Sequence, residues 1–126
     1  MATSTAAAIR LKRRALGLSP EELEALRTVA LDPGAPSEQR VLAVHMIGLS
    51  ESAAARDQLE KIGSAVMPSS PDEKGYANEV TVRTQALETL LKRLNPDAAA
   101  RVLNEIIAKT HDSALLRRAR YWLGRL

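Results

Sequence analysis

Ala53-Ala54-Ala55-Arg56 and Ala98-Ala99-Ala100-Arg101 are the same four letters at two places in this chain. An Arg-x-x-Ala segment precedes each: Arg40-Val41-Leu42-Ala43 before the first and Arg83-Thr84-Gln85-Ala86 before the second. Ala43 and Ala86 are 43 residues apart, and the two tetrapeptides are 45 apart. Self-similarity at such a period marks stacked helix pairs, in which each unit buries its apolar faces only against its neighbours. The apolar stripes put the register slightly differently. Placing Ala55, Leu59 and Ile62 on Ala99, Leu103 and Ile106 needs a shift of 44. Packing governs register, so 44 is preferred, and the four-letter identity is partly a coincidence of an Ala-rich chain.

Working outward from these stretches, seven helical segments are expected. The first covers Ser4 to Leu16 and stops at Gly17, a residue type common just past a helix end. Ser19-Pro20-Glu21-Glu22 has the form of a capping box with Pro in the first turn, and opens a helix carrying Leu23, Leu26 and Ala30. Ser37 opens the third, with a stripe of Val41, Val44, Ile47 and Gly48 beside Ala43 and Met46. The fourth starts after Ser50 or Ser52. Residues 63–77, with Pro68, Ser69, Ser70, Pro71 and Gly75, read as a long connection. The fifth helix spans about Asn78 to Leu94 with Val82, Ala86, Leu87, Leu90 and Leu91; the sixth follows Asn95-Pro96-Asp97. The seventh opens near Asp112 or Ser113 and carries Leu115, Leu116, Ala119, Trp122, Leu123 and Leu126. No segment alternates apolar and polar residues as a strand would. One domain over 1–126 is expected, with units at 4–31, 37–62 and 78–109 and a half-unit at 113–126.

Composition agrees. Of 126 residues, 45% are hydrophobic and only 2% aromatic, so the core has to be built from Leu, Ile, Val and Ala. Small Ala side chains suit close helix crossings, whereas sheets favour β-branched and aromatic residues. Cysteine is absent, which excludes disulfides and thiolate metal sites and fits a reducing compartment. No apolar run approaches the ~20 residues of a membrane span. A cytoplasmic protein is the expectation, although the acid-free first 18 residues, with Arg10, Lys12, Arg13 and Arg14, have the composition of an organellar presequence. The formal charge of +3 is unevenly spread: residues 1–18 sum to +4, 19–80 to −6 and 81–126 to +5.

The Arg-x-x-Ala-x-x-x-Leu/Ile pattern and its period resemble HEAT-like repeats over 37–62, 79–109 and 113–126. The chain departs from that family in the long 63–77 connection and in lacking Asp-Val-Arg at each first helix; Val80-Thr81-Val82-Arg83 comes nearest. The resemblance implies an all-α, right-handed α-α superhelix of about three antiparallel helix pairs and a closing helix. It also implies a binding scaffold, with the second helix of each pair lining a groove. A second likeness, of Leu11 to Leu23 to the first two helices of a phage-repressor-type helix-turn-helix, ends at Leu31-Asp32-Pro33-Gly34-Ala35-Pro36. The helix beyond it is too apolar to read a DNA groove.

Little in the sequence announces chemistry. His45 and His111 lack the spacing of metal ligands, and no nucleophile or phosphate-loop motif is present. No cofactor and no catalytic residue are therefore expected. Arg56 and Arg101 each precede a Glu by four residues, Glu60 and Glu105, most simply as intrahelical ion pairs. If the helices turn these residues the same way, they line a groove. The last helix fans Arg117, Arg118, Arg120 and Arg125 around Tyr121, as a solvated terminal cap or an anion-binding face. The expected partner is a protein or peptide segment, or a second copy of the chain. Nucleic acid bound through the basic ends, as in some HEAT-like repair proteins, is the alternative. A place within a larger solenoid is a third reading, since the apolar stripe still runs at Leu126.

Overall fold

A computed structural model describes residues 17–68 and 72–126; among these the chain is all-helical, with six helices and no strand. The helix expected over Ser4–Leu16 and its basic residues lie outside the described residues. The helices are α1 (Pro20–Ala30), α2 (Ser37–Leu49), α3 (Ala53–Gly63), α4 (Glu73–Leu91), α5 (Pro96–Lys109) and α6 (Ser113–Gly124).

Local chemistry explains their starts. Ser19 and Glu22 exchange hydrogen bonds, the Ser19 hydroxyl accepting from the Glu22 amide at 3.1 Å and the Glu22 carboxylate from the Ser19 amide at 3.2 Å. Ser52, Asp72, Asn95 and Asp112 cap α3, α4, α5 and α6 in the same sense, each accepting an amide of the first turn. The Asp72 cap starts α4 five residues earlier than Asn78. Gly75, Tyr76 and Ala77, read above as part of the 63–77 connection, therefore belong to the helix. One strong cap outweighs two poor helix formers.

Contacts define two rows. Helices α2, α4 and α6 follow one another, α2 touching α4 and α4 touching α6, while α1 packs on α3, and α1 on α2, α3 on α4 and α5 on α6 close the successive pairs. The predicted stripes fill the seam between the rows. Ala55, Leu59 and Ile62 are fully buried, as are Ala99, Leu103 and Ile106 to within a few per cent, at the spacing of 44. Helices α3 and α4 approach closely at Gly63: a Cβ there would lie 2.5 Å from Leu87 Cδ2.

The stripe of α2 differs from expectation in one position. Arg40, not Val41, turns inward and is 2% exposed. It meets Glu79 and Arg83 of α4, each also 2% exposed. Arg40 clamps the Glu79 carboxylate with two guanidinium bonds, of 3.0 and 2.6 Å, and Arg83 adds a third at 2.8 Å. The two arginines also satisfy backbone carbonyls near the ends of the preceding helices. Arg40 Nε donates to Ala30 O at 2.9 Å, and Arg83 donates to Ala65 O and Val66 O at 3.0 and 2.9 Å. Cationic groups are favoured at helix C-termini, where carbonyls lack intrahelical partners. Burial raises the Glu79 pKa, but the hydrogen bonds from Arg40 and Arg83 and their positive charges outweigh it, and the net shift is downward. Arg93 ties the C-terminal end of α2 in a similar way, donating to Ser50 O.

Candidate functional site

Helices α3 and α5 project their outer residues into one shallow groove of about 420 Å³. Arg56, Asp57 and Glu60 come from α3; Arg101, Val102 and Glu105 come from α5; Leu90 and Leu94 form part of its wall. The four residues singled out from the repeated tetrapeptides, Arg56, Glu60, Arg101 and Glu105, are thus brought together. A second depression of about 220 Å³ shares Asp57, Glu60 and Glu105 and adds Lys61, Ser64 and Lys109.

The expected intrahelical pairs are not formed: among the described residues neither Arg56–Glu60 nor Arg101–Glu105 is an ion pair, and Lys61 instead meets Asp57 at 3.0 Å. The reason lies in the inter-helix geometry. Glu60 is half-buried beside Glu105, and its pKa is raised, first by burial and then by the negative charges of Glu105 and Asp57, against a smaller lowering by Arg101. Glu60 is therefore easier to protonate than an ordinary glutamate. The groove holds both donors and acceptors whose strongest partners on their own helix are unused.

The C-terminal residues form a separate surface. Arg117, Arg118 and Tyr121 of α6 line a cleft of about 390 Å³ against Val80 and Thr84 of α4, with Ala114 at its edge. The Arg118 guanidinium lies 5.7 Å from the centroid of the Trp122 ring, and that of Arg125 lies 5.3 Å from the Tyr121 ring while donating to its hydroxyl at 3.0 Å. Trp122 is half-buried, packed against the core on one side and lying beneath Arg118 on the other. Arg120 is exposed and lies outside the cleft.

Sequence reading missed a depression of about 660 Å³ between α2 and α4, lined among others by Val41, Leu42, Val44 and His45. It follows from the inward turn of Arg40, which leaves Val41 half-buried and Leu42 47% exposed. His45 is exposed on its rim, and His111 is exposed next to the α6 cap. Among the described residues no cluster of His, Asp or Glu has the arrangement of a metal site, and no helix is long and apolar enough to cross a membrane.

Comparison with protein-family models, curated proteins and solved structures gives no match to this chain.

Proposed function

We propose that the chain is a non-enzymatic scaffold, HEAT-like in its stacking, that holds an extended segment of a partner protein along the α3/α5 groove. The contact pattern at the start of the array supports the stacking: each of α1 and α2 touches both the next helix and the one after it, as stacked helix pairs do. The reading as a right-handed α-α superhelix of antiparallel pairs rests on the repeat. The observation that carries the function is the convergence of Arg56 and Glu60 with Arg101 and Glu105, from separate units, on one groove without pairing along their own helices. Side chains that present unpaired donors and acceptors at repeated spacing suit a polar peptide whose own charges alternate. The groove is open and shallow, which fits a chain laid along it better than an enclosed small molecule.

Selection from a displayed peptide library tests the reading. The wild-type chain is expected to enrich peptides with both acidic and basic residues, and Arg56→Ala/Arg101→Ala is expected to lose them while keeping its helical circular dichroism. Enriched peptides indifferent to that double variant, or a turnover that depends on a groove residue, would refute it.

A further inference from the structure

We propose that the outer face of α6, with the cleft it forms against α4, binds single-stranded nucleic acid: phosphates on Arg117, Arg120 and Arg125, and a base in the cleft beside Tyr121. This surface belongs to the other row of helices, and the proposal stands or falls apart from the α3/α5 groove. At 100° per residue, Arg117, Arg120 and Tyr121 lie opposite the buried Leu115 and Ala119, with Arg118 and the C-cap Arg125 flanking them on the Trp122 side. The eight-residue step from Arg117 to Arg125 spreads the charge along about 12 Å of helix. Residues 113–126 hold four arginines and no acid, and among the described residues none of the four forms an ion pair. The acid that caps α6, Asp112, accepts from Tyr76 Oη at 2.7 Å and from the Leu115 amide, at the end of the helix away from Arg120 and Arg125.

A linear row of arginines without ion-pair partners among the described residues suits a polyanion. The aromatic rings decide which one. Arg118 and Arg125 are held against Trp122 and Tyr121, so their planar donors are partly ordered before any ligand arrives. Tyr121 is 53% exposed and borders a cleft walled by Val80, Thr84 and Ala114, which offers a flat base an apolar slot next to cationic edges. An acidic peptide would satisfy the arginines and leave that slot without a flat partner. A duplex keeps its bases stacked and could not enter it.

Fluorescence anisotropy on the full chain with a labelled oligothymidylate of about twelve nucleotides tests the proposal. Three phosphate contacts predict a log–log salt slope near −2, or roughly a 15-fold weakening between about 50 and 200 mM salt. Arg117→Ala/Arg125→Ala should make the slope shallower by one or more. Tyr121→Leu should weaken binding about tenfold or more and leave the slope unchanged. Absence of binding at about 50 mM salt overturns the proposal. So do α6 variants that change neither affinity nor slope, which would place binding on other basic residues. Equal competition by polyglutamate would assign the surface to an acidic protein, and a matched duplex that binds as tightly, indifferent to Tyr121→Leu, would remove the role of the cleft.

Discussion

Replacing Glu79 should be a severely damaging single change, because its carboxylate is the charged acceptor that two buried guanidinium groups share. Glu79, Arg40 and Arg83 are each 2% exposed, and three guanidinium bonds of 2.6–3.0 Å converge on the carboxylate. Removing one partner of a buried ionic group leaves uncompensated charge and costs about 3–5 kcal/mol. Total stability for a domain of this size is about 5–15 kcal/mol, so Glu79→Ala should forfeit about a fifth of it or more. At roughly 4 °C per kcal/mol, the melting midpoint should fall by about 12–20 °C. Glu79→Gln keeps the shape and one acceptor oxygen, yet presents an NH₂ to a cluster of donors and should be nearly as harmful.

The neutral replacement separates two explanations. Exchanging a buried ionic triad for apolar residues of similar volume is often neutral or stabilising by about 1–4 kcal/mol. Here the arginines also serve Ala30 O, Ala65 O and Val66 O. An orphaned buried carbonyl costs about 1–3 kcal/mol, which applies in full to Ala30 O; Ala65 O and Val66 O lie nearer solvent and add less. Arg40→Met/Glu79→Leu/Arg83→Met should therefore remain destabilised. Urea unfolding followed by far-ultraviolet circular dichroism, with the single Trp122 as a second probe, measures both variants. A loss below about 1 kcal/mol for Glu79→Ala would refute the role of the carboxylate, and a triple variant as stable as wild type would refute the carbonyl clamp.

Acid titration supplies an independent check: the lowered Glu79 pKa gives stability that is complete above the ordinary glutamate value of 4.5 and is lost as pH falls through the folded value beneath it. Glu79→Gln should flatten that limb of a melting-temperature profile. Glu60 has the opposite sign, because its folded pKa lies above 4.5. Its cost is absent below 4.5 and grows as pH rises through the folded value, so Glu60→Gln should gain on wild type between about pH 5 and 7 and match it near pH 4. At the α3/α4 crossing, Gly63→Ala places a methyl 2.5–2.6 Å from Leu87 Cδ2 and Cγ. Overpacking costs about 1–3 kcal/mol against at most ~1 kcal/mol of helix propensity, so the variant should unfold at lower urea concentration; an unchanged midpoint would show that Leu87 moves aside freely.

Much of this architecture was legible because Ala55, Leu59 and Ile62, and then Ala99, Leu103 and Ile106, recur with helical spacing, and burial follows that spacing directly. The convergence of Arg56, Glu60, Arg101 and Glu105 was legible for a related reason. Residues adjacent to a repeated buried stripe must emerge on a repeated outer face. The pairing within that face was not legible, because it depends on how far apart α3 and α5 stand, and that distance is set by the core between them. The triad was hidden differently. Hydrophobic periodicity assigns charged residues to the solvent side, and Arg40 finds its acid 39 positions along the chain. A signal did exist: Arg40 and Arg83 recur at the 43-residue period together with Ala43 and Ala86. An arginine that repeats in step with a buried alanine belongs to the seam.

That seam also shows why charge is placed where apolar residues would pack. Counted from the aligned alanines Ala86 and Ala119, Glu79 and Asp112 occupy the same position, seven residues earlier. Each reaches back to the preceding helix of its row, Glu79 to Arg40 of α2 and Asp112 to Tyr76 of α4. Apolar packing is non-directional, so burial of Val, Leu, Ile and Ala alone specifies the register between two helices only loosely. A carboxylate with a single matching partner on the neighbouring helix makes the slipped arrangement costly, since a displaced Glu79 would keep only Arg83 of its own helix and a buried Arg40 would face no acid. Directional bonds between α2, α4 and α6 thus set the register that the Leu and Ala stripes leave loosely specified. The α3/α5 groove inherits it, because Arg83, hydrogen-bonded to Glu79, also holds Ala65 and Val66 just beyond the end of α3. Loss of Glu79 should then disturb the spacing of Arg56 and Arg101 as well as overall stability.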